Sequence, residues 1–366
     1  MYMKCKLPEF PVESDMWDKV SSSKRPIAVY GMGNGADKLF ERLEKYGVSP
    51  DGVFASDGFV RGHSFRNFPV KPISSVKEEL GDDAIVLLSF ASSRPEVLEM
   101  LGKLNNELDL LVPDMPVAGS EYFDKNFFNR NYNDILAVYN MLEDEESQNA
   151  YAAIINYKLS GKAEYLFGCA SDTESIYRLL PQNIRYSVDA GAYNGDTVRE
   201  LMRYRSGLEK IYAFEPDSRN YRKLDKFKEE SGLNILEIYN AAVWSEDADG
   251  VFVGSGNRNS SVNSTSSYQK RDEAVALVKI DTIVADAPIE YIKYDVEGAE
   301  AEAIVGSDNV IKRNMPALLI SAYHRSEDLF KLPLLIKRKY PEYALYIRRT
   351  MCLPAWEIAL IAVKRG

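Results

Sequence analysis

Short apolar runs of strand length recur along this chain, each closed by glycine or an acid and followed by a helical pattern. Pro26 to Tyr30 (PIAVY) runs into Gly31-Met32-Gly33-Asn34-Gly35, and a helical stretch follows from Ala36 to Tyr46. Gly52 to Ala55 (GVFA) ends at Ser56 and Asp57, and Ala84 to Phe90 (AIVLLSF) is apolar throughout, as a parallel strand buried on both faces requires. A helix from about Pro95 to Leu104 comes next, with proline near its start. Strands that alternate with helices are βαβ units, so the pattern predicts a parallel sheet.

The pattern resumes further on. Strands are expected at Ser187 to Asp189, Lys210 to Phe214, Leu236 to Asn240, Tyr291 to Tyr294 and Ala317 to Ser321. Tyr343 to Arg348 (YALYIR) and Glu357 to Val363 (EIALIAV) have no helix between them, which predicts an antiparallel pair at the end of the second sheet. Between the two α/β regions, Tyr132, Ile135, Leu136, Tyr139 and Leu142, then Tyr151, Ile154, Ile155 and Leu159, fall at helical spacing and read as core. With 366 residues, more than one domain is expected. The divisions are 1–119, an N-terminal Rossmann-like α/β domain; 120–185, a helical connector; and 186–366, a second α/β domain. The Ser/Asn/Gly-rich stretch Gly254–Ser267 reads as a long loop.

Composition narrows the function classes. A net charge of −10 argues against a nucleic-acid binder, and the runs Lys337-Arg338-Lys339 and Arg348-Arg349 are expected to be solvated surface. Cys5, Cys169 and Cys352 are far apart, which is neither a disulfide framework nor a zinc site. Two histidines, His63 and His324, argue against a histidine-rich metal centre, and no metal is expected. The start MYMKCKLPEFPVESDMW lacks the marks of a signal peptide, and no apolar run approaches the roughly 20 residues of a membrane span. A cytoplasmic protein without nucleic-acid or membrane partners is expected, with a homo-oligomer open. The Asn-x-Ser/Thr triplets at Asn259 and Asn263 then read as chance.

Three segments carry candidate chemistry. Val188-Asp189-Ala190-Gly191-Ala192-Tyr193-Asn194-Gly195-Asp196-Thr197 is a strand, an acid and two glycines four apart before a helix, a turn that lets backbone approach a ligand closely. Ile211-Tyr212-Ala213-Phe214-Glu215-Pro216 puts a carboxylate at the next strand's end, 24 residues after Gly191, where it can accept from both ribose hydroxyls of an adenosine cofactor. That pair does not separate a nicotinamide cofactor from S-adenosylmethionine. Tyr291-Ile292-Lys293-Tyr294-Asp295-Val296-Glu297-Gly298-Ala299-Glu300 delivers three carboxylates within six residues; Glu300 reads as a first-turn helix acid, Asp295 less so.

The runs VDAGAYNGDT, YAFEPD, NAAVWSE and YIKYDVEGAEAEAIVG, followed by Ser321-Ala322-Tyr323-His324-Arg325-Ser326-Glu327-Asp328-Leu329 and YALYIRR, resemble the FkbM-type methyltransferases over roughly residues 130–363. The resemblance implies a class I methyltransferase fold, a seven-stranded Rossmann-like sheet whose last strand is antiparallel, with S-adenosyl-L-methionine as cofactor. It implies that Asp189, Gly191, Ala192, Gly195 and Thr197 lie along the methionine part, Glu215 on the ribose hydroxyls, Asn240, Ala241 and Ala242 near the adenine, and Asp295 beside the transferring methyl. Glu297, Gly298 and Glu300 match the motif without an assigned role. Because many relatives methylate hydroxyls on sugars, polyketides or other secondary metabolites, O-methylation of such a small molecule is expected. His324, which titrates near neutrality when unperturbed, is the expected base and Asp295 the runner-up.

In the first domain, Gly31, Gly33 and Gly35 could face a phosphate at a helix N-terminus, although the third glycine comes early for GxGxxG and Asp57 lies 26 residues from Gly31. Two rivals remain: an NAD(P)-dependent oxidoreductase or sugar-nucleotide enzyme that uses this unit, and a non-catalytic binding protein on a retained methyltransferase fold.

Overall fold

A computed structural model describes residues 4–60, 62–253, 261–263 and 272–365. The first sheet contains β1 (Ile27–Tyr30), β2 (Gly52–Ala55), β3 (Ser64–Phe65), β4 (Phe68–Pro72), β5 (Ile85–Leu88) and β6 (Asp109–Leu111) in the order β3-β4-β2-β1-β5-β6. All pairings are parallel except the short hairpin of β3 with β4. From β4 across to β6 this is the order of a doubly wound α/β sheet. Every residue of β1 and β5 is buried, the reason both runs are apolar throughout. Ala28 and Tyr30 face one apolar cluster together with Leu101 of the helix Pro95–Glu107, and Val29 faces another with Leu39 and Leu43 of the helix Asn34–Lys45. The two helices therefore cover opposite faces.

The middle of the chain is helical, with helices Lys125–Met141, Glu145–Ser160, Ala163–Phe167 and Thr173–Leu179. Asp124, Asp144 and Asp172 cap the first, second and fourth by accepting from a backbone N–H of the first turn. These helices do more than connect. Tyr151, Ile154, Ile155 and Tyr157 are fully buried, and one apolar cluster runs from the first sheet through them into the second.

The second sheet contains β7 (Tyr186–Ala190), β8 (Lys210–Phe214) and β9 (Leu236–Tyr239). A small four-stranded sheet then branches off: β10 (Ala241–Val243), β11 (Ala248–Val253), β12 (Ser261–Asn263) and β13 (Asp272–Val278), in the order β10-β13-β11-β12. The main sheet resumes with β14 (Tyr291–Tyr294), β15 (Ala317–Ser321), β16 (Tyr343–Arg349) and β17 (Ile358–Lys364), giving β16-β17-β15-β14-β7-β8-β9. β17 is antiparallel to both β15 and β16, so the terminal pair expected from YALYIR and EIALIAV closes one edge. The small sheet was not expected. Most of the stretch Gly254–Ser267 lies outside the described residues, as does Asn259; within that stretch Ser261–Asn263 pairs antiparallel with β11.

The expectation of solvated basic runs fails at Arg348 and Arg349. Arg348 is 3% exposed and Arg349 fully buried. Helix Glu145–Ser160 packs beside β16, so Arg348 reaches Asp144 at 2.7 Å and Ser147 Oγ at 2.7 Å. Arg349 donates to the carbonyls of Leu166 and Cys352. A second buried pair ties the first sheet to the helices: Lys158 Nζ lies 2.5 Å from Asp114 Oδ2, their side chains 3% and 6% exposed. Removing one partner strands a buried charge, so Lys158→Ala should destabilise the fold by about 3–5 kcal/mol in equilibrium urea denaturation. The double change Lys158→Met with Asp114→Leu should recover most of that loss.

Candidate active site

A cavity of about 380 Å³ opens at the carboxyl ends of β7, β8 and β14, within the usual size of a small-ligand site. Its floor follows from strand register. Asp189 pairs with Lys293 and Ala190 with Tyr294, so the turns leaving β7 and β14 lie directly on each other. Gly191 has φ +88°, and a Cβ there would stand 1.9 Å from the Asp295 carbonyl oxygen. Only glycine permits that approach.

Lys293 sits inside β14 with its ammonium 3.5 Å from Asp189 Oδ1 and 3.4 Å from Asp295 Oδ2. Burial alone would lower its pKa, but the Asp295 and Asp189 carboxylates outweigh burial and raise it. In return Asp295, which burial would push up, is held below the ordinary carboxylate value by Lys293 and His324. Asp189 is raised by burial against the pull of Lys293 and Thr197, whose hydroxyl donates to Asp189 Oδ2.

Glu215 follows β8 directly and is 6% exposed. Its Oε2 accepts from the Tyr193 N–H and its Oε1 from the Asp217 N–H, each at 2.9 Å. Burial raises its pKa to about 7 in spite of those donors.

The turn after Asp295 is held in an uncommon backbone form, with Glu297 at φ +55° and Gly298 at φ +97°. Glu300 Oε1 accepts from the Val296 and Gly298 N–H groups at 3.0 and 3.3 Å, which closes the turn at the start of the helix Glu300–Val305. Against it lies His324, 1% exposed, with Nδ1 2.9 Å from Glu300 Oε1 and Nε2 3.5 Å from both Asp295 Oδ1 and Glu297 Oε2. Burial acts to lower the imidazole pKa, and the Glu300, Asp295 and Glu297 carboxylates overcome it, holding it at about 10. Burial raises Glu297 to about 8 against the pull of His324.

Of the residues singled out from sequence, Gly191, Thr197, Glu215, Ala241, Ala242, Asp295 and Glu297 line the cavity. The others stand behind it. Asp189 is buried beneath Lys293, and Ala192 packs into the core under the turn. Gly195 caps the helix Asp196–Tyr204 at φ +81°, where a Cβ would meet the Phe227 ring at 2.4 Å. Asn240 donates to the carbonyls of Glu215 and Pro216, which braces the acid rather than meeting a ligand. His324 is behind Asp295 and Glu297. Lys293, Tyr323 and Glu357 line the cavity without having been singled out. A lysine inside the apolar strand YIKYD was a usable signal for the first; Tyr323 and Glu357 gave none.

The first sheet's glycines have a different use. A Cβ on Gly31 would stand 2.3 Å from Ser89 Oγ and one on Gly35 2.0 Å from the Ser89 carbonyl oxygen, so both admit the end of β5, while Gly33 faces open space. His63 is exposed. Among the described residues no helix is long and apolar enough to cross a membrane.

A main sheet with a terminal antiparallel pair, and an acid from the second strand's end in the crevice beside the first, form the arrangement of a class I methyltransferase fold. Residues 189–351 match the family model described as the methyltransferase FkbM domain. Among solved structures the chain is similar to the methyltransferase FkbM from Methylobacillus flagellatus KT, at 18% identity and TM-score 0.66, over 92% of this chain and 89% of that one. It is also similar to a putative rRNA methylase from Clostridium thermocellum (9% identity, 53% of this chain and 94% of that one, TM-score 0.35). A putative methyltransferase from Streptococcus mutans in complex with SAH gives 13% identity, 52% and 96% coverage, and TM-score 0.33. None of the curated proteins matches the chain.

The Glu215 environment has a consequence for stability. Its folded pKa of about 7 lies above the ordinary 4.5, so the folded state holds the proton more tightly. That stabilisation is complete below about pH 4.5 and is lost as pH rises through about 7. Glutamine does not titrate. The melting temperature of Glu215→Gln minus that of the wild type should therefore grow from pH 5 to pH 8, whatever its sign at pH 5; a constant difference would contradict the burial argument.

Proposed function

We propose that the chain is an S-adenosyl-L-methionine-dependent methyltransferase that methylates a hydroxyl oxygen on a small molecule such as a sugar or secondary metabolite. The observation that carries the cofactor is Glu215. Each of its carboxylate oxygens accepts one backbone N–H at the cavity wall, which leaves lone pairs for a ribose diol. Gly191 and Thr197 border the same cavity where the methionine part would lie, and Ala241 and Ala242 offer small apolar side chains to an adenine. The residues present fit the group. When bound, the cofactor supplies an activated methyl on a sulfonium, so the protein has mainly to align the acceptor and receive its proton.

Asp295 and Glu297 are the groups in reach of an acceptor hydroxyl, since both line the cavity. His324 does not line it. It stands 3.5 Å behind both carboxylates and, kept protonated by the acids around it, steadies their charge rather than taking the acceptor's proton. The base is therefore assigned to Asp295, which Lys293 and His324 keep ionised, ahead of His324. Tyr323, whose hydroxyl is 3.4 Å from Asp295 Oδ1, helps to fix that carboxylate.

Calorimetric titration of the purified chain with S-adenosylhomocysteine tests the reading. The wild type should bind, and Glu215→Ala should weaken binding tenfold to a hundredfold, the loss of about 1.5–3 kcal/mol in hydrogen bonds to a charged group. Binding of NADH with none of S-adenosylhomocysteine would favour the oxidoreductase instead, and binding of neither would favour a retained fold without activity.

A further inference from the structure

We infer that the cluster behind the cavity binds one divalent transition-metal ion through His324, Asp295 and Glu300. One ligand atom from each of these residues lies within 4.8 Å of the others. The donors are ready to receive something. Glu300 is 1% exposed, and its Oε2 is buried with no hydrogen-bond partner; Glu297 Oε2 is buried and unpartnered too. Oxygens in that state have lost water without a replacement, which is costly unless a cation or donor meets them. His324 turns both nitrogens toward these acids. Its Nδ1 is 2.9 Å from Glu300 Oε1 yet outside hydrogen-bond alignment.

The spacings at Nε2 suit an ion better than they suit hydrogen bonds. Nε2 stands 3.5 Å from Asp295 Oδ1 and from Glu297 Oε2, at the far limit for a hydrogen bond. Two donors of one tetrahedral ion with bonds of about 2.1 Å are about 3.4 Å apart. Charge points the same way. Asp295, Glu297 and Glu300 converge on His324, and Asp328, itself buried, is close behind, its Oδ2 accepting from the Arg325 N–H. Lys293 reaches Asp295 within this group, on its other oxygen. One imidazole with carboxylates favours manganese, iron, cobalt or zinc over calcium, which prefers six to eight oxygens. Because Asp295 also lines the cavity, an ion held here would sit directly behind a carboxylate that faces the acceptor and would fix its position and charge.

The inference concerns the cavity of the methyl-transfer reading but stands without it, since the test uses no adenosyl compound. The full chain, stripped with a chelator, is titrated with Mn²⁺ while the paramagnetic resonance signal of the free ion is followed. One Mn²⁺ per chain should bind, and His324→Ala and Glu300→Gln should each weaken it at least tenfold. Co²⁺ added to the wild type provides a check that needs no variant: visible bands of a low-symmetry nitrogen–oxygen site are expected. A wild type that leaves the Mn²⁺ signal and the Co²⁺ spectrum as in buffer would overturn the inference, as would unchanged affinity in two folded variants. S-adenosylhomocysteine binding, titrated separately, reports on the cofactor reading alone.

Discussion

The register between β7 and β14 governs the functional end of this molecule. It sets Asp189 beside Lys293 in the middle of a buried sheet, where neither charge would be tolerable alone. Asp295 then meets the same ammonium from the strand end. A shift by one residue would reverse every side chain of β14, carrying Lys293 away from both acids. The same register brings Gly191 onto the Asp295 carbonyl, so the glycine turn after β7 and the acid turn are set against each other by backbone contact and not by flexible side chains.

The acid turn is braced from the opposite side by the segment that leaves the first sheet. A Cβ on Gly298 would stand 2.7 Å from that of Ala118, and the Ala118 N–H donates to the His324 carbonyl at 2.8 Å. Arg325 Nε donates to the Gly298 carbonyl, and Ser326 Oγ to that of Glu121. A further tie lies beyond β5, where Ser92 and Leu353 exchange backbone hydrogen bonds. Leu353 belongs to the loop that leads to Glu357, a residue of the cavity wall. The first sheet and the segment after it thus form part of the scaffold of the site. Positive φ at Glu297 persists because these contacts determine it from both sides.

Much of this was legible in the sequence, for identifiable reasons. Strands such as IAVY and IVLL are buried on both faces, and burial on both faces writes itself as an unbroken apolar run. Glu215 was legible because a carboxylate followed by proline at a strand end has few structural uses. The small sheet was hidden, since β11 and β12 pair within a polar, glycine-bearing stretch where local composition speaks for loop. Arg348 and Arg349 were misread because a short basic run carries no information about what packs against it; here a helix some 200 positions earlier supplies Asp144 and Ser147. The position of His324 was hidden for the same reason. Its three carboxylates come from a turn whose shape depends on two residues at positive φ.

The chain holds two glycine turns of similar sequence form, and their contrast shows what such a turn does and does not say. Gly31 and Gly191 both follow a buried first strand, and each makes room for the end of a neighbouring parallel strand: Ser89 after β5 in one case, Asp295 after β14 in the other. Close packing at the head of a parallel sheet is reason enough for glycine at both. The difference lies one strand further on. Asp57 is exposed, in a short turn after β2, where it meets the Ser74 N–H at 3.4 Å. Glu215 is buried, held by two backbone N–H groups and braced through Asn240. Burying a carboxylate in this way raises its pKa and works against the fold unless a ligand makes use of it. It is therefore the acid after the second strand, and not the glycines after the first, that carries the proposed cofactor site in the second sheet.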